Sequence, residues 1–411
     1  MAQPYIPRAL EPVVRRAAAE FPAVVLTGPR QSGKTTLLRR LYGDSAGYVS
    51  LEPPDVRAAA AADPRGFLDM HPAPVIFDEV QYAPELLPYI KERIDERREA
   101  RGRYLLTGSQ NLLLTEQVTE SLAGRTAMLR LMTLSQREEF GRAGEPLPWE
   151  KPSAAAGSRP EQQVPTFQTI WRNLLRGGFP ELVAEPDRDV PLWQSAYIQT
   201  YLERDVRALR QIGDLMSFQS FLRALAARAG QLLNLADVAR DLGIALNTAK
   251  AWLSVLEATF QVIVLRPYHA DVGKRLVKTP KVYFTDTGLL CHLAGLRDAE
   301  HAGSGPMGGA IFENAVLLEI VKAFVNRGEE PRIYFWRTSA GEEVDLVVEA
   351  EGTLIPIEVK LSGTPRPEMA KGIRAFQAAL GDRVGPGFVV HPGSVRLPLG
   401  AGVVAVPFGE I

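Results

Sequence analysis

The sequence predicts an α/β chain that opens on a doubly wound parallel sheet. It continues through a helical region with a helix-turn-helix and closes on a small α/β unit. Three observations carry this reading. AVVLT, Ala23 to Thr27, is a short apolar run followed at once by a glycine-rich turn and a helical pattern from Lys34 through Leu37, Leu38 and Leu41. That is the strand–loop–helix opening of a parallel sheet. VIF (Val75 to Phe77) and YLLT (Tyr104 to Thr107) are further apolar runs on either side of a charged amphipathic helix, Leu86 to Ala100, so strands alternate with helices. From Gly141 to Pro165 the composition turns to Pro, Gly, Ala and Ser, as in an exposed linker or long loop.

These shifts divide the chain into 1–140 (the sheet), 141–166 (the linker), 167–300 (helical) and 301–411 (mixed helix and strand). A chain of 411 residues is too long for one ordinary core and suits two or three domains. Hydrophobic residues at 46% and charged residues at 23% exclude a disordered or collagen-like chain. The formal net charge is −1, so nucleic-acid binding requires a local patch rather than a global field. The single cysteine, Cys291, and the scattered His71, His269, His292, His301 and His391 exclude an internal disulfide and offer no zinc-type spacing. No apolar run approaches the roughly 20 residues that span a bilayer, and no signal-type stretch precedes the first strand. A cytoplasmic protein with no membrane partner is expected.

GPRQSGKTT, Gly28 to Thr36, matches G-x-x-x-x-G-K-[ST] directly after a strand and at the start of a helix. The spacing suits a phosphate. Gly28 and Gly33 let the backbone curl so that N–H groups point inward, and the helix presents its positive end. Gly28, Pro29, Arg30, Gln31, Ser32, Gly33, Lys34, Thr35 and Thr36 are the expected ATP-binding residues, with Lys34 on the β- and γ-phosphates and Thr35 on Mg²⁺. VIFDE then ends a strand with Asp78 and Glu79. Asp78 is expected to hold the metal and Glu79 to orient and deprotonate the attacking water; the plainer reading is an acidic cap before the next helix. In YLLTGSQN, Ser109 or Gln110 sits where a γ-phosphate sensor would, or in a polar turn. Arg125, in SLAGR, is either an arginine finger for a neighbouring subunit or a surface arginine.

Together GPRQSGKTT, VIFDEVQ, LLTGSQ and SLAGR resemble the AAA-type P-loop ATPases of prokaryotes. The resemblance is closer to ATP-binding proteins with a C-terminal domain of unknown function, whose phrases GGFPE (Gly177 to Glu181), YLERDV (Tyr201 to Val206) and KTPKVYFTDTGLL (Lys278 to Leu290) recur here. It covers roughly residues 5 to 365 and implies a P-loop NTPase parallel sheet of the AAA type, ATP with Mg²⁺, and a homo-oligomer.

NLADVARDLGIALNTAKAWLSVLEA, Asn234 to Ala258, reads as a helix-turn-helix. Asn234 caps the first helix with Asp237 in capping-box position, Gly243 makes the turn, and the second helix starts at about Asn247 with Trp252, Leu253 and Leu256 inward. RPYHADVGKRLVKTPKVYF then supplies a two-stranded wing. The expected DNA contacts are Asn247, Thr248 and Lys250 on the helix and Lys274, Arg275, Lys278 and Lys281 on the wing. A winged helix used only for packing is the alternative.

EVDLVVEAEGTLIPIEVK, Glu343 to Lys360, folds back as a hairpin if Glu351-Gly352 is its turn. Position 350 then faces 353, Asp345 falls opposite Glu358, and Leu346 and Val348 face Ile357 and Ile355. Lys360 shares the face of Glu358, and Glu313 in FEN adds a carboxylate from a helix. The set resembles the PD-(D/E)xK nuclease fold, which implies a second divalent metal on Glu313, Asp345 and Glu358 with Lys360 beside it. A solvated hairpin with alternating charges is the alternative. The chain is therefore expected to be a Mg²⁺-dependent AAA-type ATPase coupled to DNA through a winged helix and a restriction-nuclease-like domain, or else a nucleotide-dependent switch on a protein partner.

Overall fold

The computed structural model describes residues 5–109, 121–150, 165–202, 215–268, 277–400 and 402–411. Helix α1 (Glu11–Glu20) leads into β1 (Ala23–Thr27), which is buried along its whole length because its side chains are covered on both faces of a parallel sheet. The five-stranded sheet runs in the order β2 (Gly47–Ser50), β3 (Val75–Asp78), β4 (Tyr104–Gly108), β1, β5 (Thr126–Arg130), with every pairing parallel. The inner strands are the apolar runs of the sequence. The edge strands β2 and β5 are partly exposed, so neither carries a continuous apolar run to betray it. Helix α2 (Lys34–Tyr42) follows β1. Helix α3 (Leu86–Asp95) stops short of Ala100, because Glu96, Arg97, Arg98 and Glu99 are solvated.

The expected linker is partly folded. Leu147 is fully buried, and the Trp149 ring lies 5.9 Å from that of Phe388 in the C-terminal unit. Two apolar side chains in a Pro/Gly-rich stretch suffice to draw 141–150 onto the core; residues 151–164 lie outside the described set. The helical region follows with α5 (Phe167–Arg176) after the short α4 (Gln136–Glu139), then Pro180–Ala184, Val190–Tyr197 and Leu215–Ala226. Its core holds Trp171, Phe179, Phe218 and Phe221.

Helices α6 (Leu235–Asp241) and α7 (Leu246–Ala258) form the expected helix-turn-helix, with Gly243 at φ 65° in the turn. Asn234 accepts the N–H groups of Ala236 and Asp237, but the Asp237 carboxylate pairs with Arg240 at 2.8 Å instead of reaching back to the cap. An antiparallel ribbon of β6 (Val262–Leu265) and β7 (Lys281–Phe284) follows. It is not a free wing. β7 is buried throughout, and Asn314 of the C-terminal unit both accepts from the Phe284 N–H and donates to its carbonyl, each at 2.8 Å.

After helix α8 (Thr287–Leu293), the C-terminal unit packs helix α9 (Gly308–Val325) against a six-stranded mixed sheet, with α10 (Lys371–Leu380) also packed on it. The order is β12 (Leu397–Gly400), β13 (Val403–Pro407), β11 (Gly387–His391), β10 (Thr353–Val359), β9 (Glu343–Ala350), β8 (Ile333–Arg337). The β9–β10 hairpin turns at Glu351 and Gly352, with φ 48° and 78°, as a primed two-residue turn requires. Ala350 faces Thr353, Val348 faces Ile355 and Leu346 faces Ile357, the register the sequence predicts. Among the described residues no helix is long and apolar enough to cross a membrane.

Candidate functional site

The loop after β1 closes around the side chain that follows it. Gly28 has φ 141°, and a Cβ there would collide with the Leu131 carbonyl, so only glycine lets the turn pass the residue that follows β5. Lys34 is buried and its Nζ donates to the Gly28 and Pro29 carbonyls at 3.0 and 2.8 Å, which sets the ammonium inside the curl. Pro29 and Ser32 are buried, Gln31 and Thr36 exposed, and Gln31 and Gly33 take positive φ. Arg30 donates to the Tyr82 hydroxyl at 3.0 Å.

β4 lies between the strand that feeds the loop and the strand that carries the carboxylates, and its end fixes both of them. The Thr35 hydroxyl donates to Asp78 Oδ1 at 2.7 Å, Thr107 Oγ1 donates to the same oxygen, and the Tyr48 hydroxyl donates to Oδ2 at 2.9 Å. Thr35 and Asp78 are thus adjacent at the mouth of the loop, and a hydroxyl beside a carboxylate is a donor set that suits a hard divalent cation. Glu79 takes a left-handed φ of 57°, uncommon for a non-glycine residue and a mark of functional sites. Its N–H donates to Thr107 Oγ1 at 3.0 Å, and its carboxylate accepts from Ser109 at 3.0 Å and from the Gln81 amide. Burial alone would raise the Glu79 pKa. The Lys34 charge, with Gln81, Arg30 and Ser109, outweighs it and holds the carboxyl below its ordinary range.

Ser109 therefore lies against Glu79. Gln110 falls outside the described residues. Arg125 precedes β5, whose first residue pairs with Ala23, so it lies at the end of the sheet away from its own loop. There it forms a two-pronged pair with Asp95 at 2.7 and 3.0 Å; a role on a neighbour's nucleotide would require breaking that pair. Tyr48, Gln81 and Thr107 were not singled out from the sequence. Only Gln81, inside VIFDEVQ, and Thr107, inside LLTGSQ, stood within a motif.

Two of the three family phrases, GGFPE and the TDTGLL end of the third, interlock beside the loop. Asp286 of the TDTGLL phrase caps α8, accepting the Leu289 N–H at 3.0 Å, and its other oxygen accepts the Gly178 N–H at 2.8 Å. A Cβ on Gly178 would strike the Leu134 carbonyl, and Pro180 lies next to Gly33. GGFPE thus seats the helical region against the phosphate loop. YLERDV runs largely outside the described residues.

The carboxylates of the C-terminal hairpin gather as predicted but are held by lysines. Lys360 Nζ contacts Asp345 at 3.4 Å and bonds to Glu358, while Asp345 also accepts the Val359 N–H at 2.8 Å. Lys281, expected on DNA, is instead buried here, 3.1 Å from Glu313 and 2.8 Å from Glu343; the Tyr283 hydroxyl completes Glu313. Strand alternation in β7 aims both side chains at this cluster. The second-metal expectation is corrected accordingly. Two ammonium groups, Lys281 and Lys360, pair with the carboxylates, and no group of three or more His, Cys, Asp or Glu among the described residues is arranged to hold a metal. Burial, reinforced by the Asp345 charge, pushes Glu313 and Glu358 above the usual carboxylate range.

Of the expected DNA contacts, Asn247 and Lys250 are exposed at the start of α7 and Thr248 is partly buried. Lys278 is exposed, and Lys274 and Arg275 fall outside the described residues.

Comparison with known proteins assigns residues 20–140 to an AAA domain, residues 168–300 to a domain of unknown function (DUF8612) and residues 308–411 to another (DUF4143). Uncharacterized proteins of Mycobacterium tuberculosis and Mycobacterium bovis are each 35% identical over 404 residues, 97% of this chain and 82% of theirs. Among solved structures, a Walker-type ATPase of Pyrococcus abyssi is similar over 69% of this chain and 94% of its own, at 15% identity and a TM-score of 0.46. The RuvB Holliday junction branch migration motor of Thermotoga maritima matches over 62% of this chain and 88% of its own, at 16% identity and a TM-score of 0.29.

Proposed function

Because the chain belongs to the same family as the two mycobacterial proteins and its first unit is an AAA-type P-loop ATPase fold, we propose that it hydrolyses ATP with Mg²⁺ and that the reaction acts on its C-terminal half. The observation that carries this reading is the joined set at the loop mouth, with Thr35 on Asp78 and an ionised Glu79 beside them. Mg²⁺ on Thr35 and Asp78 would neutralise charge on the phosphates. Inward N–H groups of the loop and the Lys34 ammonium bind and orient the phosphate chain. Glu79 accepts the proton of the attacking water as its oxygen bonds to the γ-phosphorus and the bond to the β–γ bridging oxygen breaks. Ser109 and Gln81 aim that carboxylate.

DNA is the proposed partner of the C-terminal half. The support is the open first turn of α7, where Asn247 and Lys250 are exposed as a recognition helix presents its residues. A second reading has its own observation: lysines occupy the carboxylate cluster, which favours a nuclease-like domain that does not cut and a partner that is protein. Steady-state phosphate release with and without duplex DNA separates the two. DNA coupling requires turnover to rise with duplex, and Lys250→Glu to lose the rise while keeping the basal rate. Turnover indifferent to duplex moves the search to a protein partner.

A further inference from the structure

We propose that Arg8 is a positioning residue for the phosphate loop, clamping the Ser32 carbonyl and tying the loop to the segment on which the C-terminal half is seated. The proposal rests on reading the loop as the ATP site. Arg8 lies just before α1 and is 6% exposed. Its Nη1 donates to the Ser32 carbonyl at 2.8 Å, Nη2 to the Met132 carbonyl at 2.8 Å, and Nε to Glu138 at 2.9 Å. A planar guanidinium fork serves such divergent acceptors at once; an ammonium cannot.

The carbonyl of Ser32 and the N–H of Gly33 share one rigid peptide plane and point in opposite directions. Holding the carbonyl outward on Arg8 therefore turns the Gly33 N–H into the loop, where a phosphate oxygen needs it. Glu138 anchors the clamp. It accepts the Ala9 N–H at 2.9 Å, the Ser135 N–H at 2.9 Å and the Ser135 hydroxyl at 3.1 Å, in a capping box that opens α4. Burial alone would raise its pKa, but Arg8 and these donors hold it below the ordinary range, so the buried pair is ionised.

The same short segment carries the rest of the molecule. The Leu134 N–H donates to the Gly178 carbonyl at 2.7 Å, and its carbonyl accepts Lys322 of α9 at 2.8 Å. The Gln136 N–H donates to Glu319 of α9 at 3.0 Å, Glu139 pairs with Arg176 of α5 at 2.6 Å, and Arg137 donates to the Glu410 carbonyl at 2.7 Å. A shift of the Ser32–Gly33 peptide on phosphate binding thus reaches α9 through Arg8 and Glu138. By reciprocity, the seating of α9 biases the loop.

The test compares the full-length wild type with Arg8→Lys, which keeps a cation beside Glu138, and with Arg8→Met/Glu138→Gln, which removes both charges. A fluorescent ATP analogue with Mg²⁺ reads affinity, phosphate release separates KM from kcat, and hydrogen exchange follows Gly308–Val325. Arg8→Lys is expected to remain folded, with some loss of stability from the carbonyl it leaves unpaired, to bind ATP about 10- to 100-fold more weakly through a misplaced loop, and to show the loss in KM rather than kcat. ATP should protect Gly308–Val325 in the wild type and not in the variants. Wild-type affinity in a folded Arg8→Lys overturns the clamp. Protection that is missing in the wild type or persists in the variants overturns the coupling. A wild type that binds no nucleotide brings down the ATP-site reading itself, and the clamp with it.

Discussion

Glu79→Gln is expected to abolish ATP turnover while leaving ATP binding intact. The amide keeps the volume and can still bond to Ser109, but it cannot accept the proton of the attacking water. Positioned general bases contribute about 10²- to 10⁴-fold, so kcat should fall by that range with little change in nucleotide affinity. The lowered pKa of Glu79 adds a sign. The carboxylate is the active form and stays ionised down through its ordinary range, so turnover should hold across neutral pH and fall only as acid protonates it. Phosphate release as a function of pH, with a binding titration on the same preparation, checks both. A variant that turns over like the wild type would remove Glu79 from the chemistry.

Lys281→Ala is expected to cost about 1–3 kcal/mol of stability, the range for a buried polar group that loses its partner, because Glu313, already above the usual carboxylate range, takes up a proton rather than stay charged. Lys281 is almost wholly buried, and its ammonium joins Glu313 of α9 to Glu343 of β9. Removing it leaves carboxylates facing one another around Asp345, where like charges in close opposition destabilise. Adding Glu313→Gln to Lys281→Ala should recover part of the loss, because the amide needs no counter-charge and can still accept the Tyr283 hydroxyl. Urea unfolding followed by circular dichroism reads the difference. An unchanged midpoint for Lys281→Ala would mean that the lysine is not a structural cation there.

Legibility in the sequence followed the physics of each element. Strands β1, β3 and β4 were plain because inner strands of a parallel sheet must be apolar throughout; β2 and β5, on the edges, were not. The β9–β10 register followed from one glycine-containing turn and the period of two, and it placed Asp345, Glu358 and Lys360 together. The phosphate loop, and the placing of Asp78 and Glu79 at its mouth, were legible because the motif sets both residue type and spacing.

What stayed hidden was long-range. Arg8 and Glu138 are 130 positions apart, and no local pattern joins them. Lys281 read as a basic wing residue because its neighbours in sequence are basic; only the burial of β7 reveals that it turns inward. Arg125 stood in a family phrase, yet its Asp95 partner comes from the end of α3. Likewise, Leu147 and Trp149 were too few to register against the prolines and glycines around them, though they pull 141–150 onto the core.

The most direct test of the central claim is ATP binding and phosphate release with Mg²⁺ by the wild type and by Lys34→Ala. The wild type should release phosphate with saturation in ATP, and Lys34→Ala, which removes the buried ammonium from the loop, should neither bind nor turn over nucleotide. Phosphate release that survives in Lys34→Ala, or a wild type that neither binds nor hydrolyses ATP, would contradict the assignment of the loop as the ATP site.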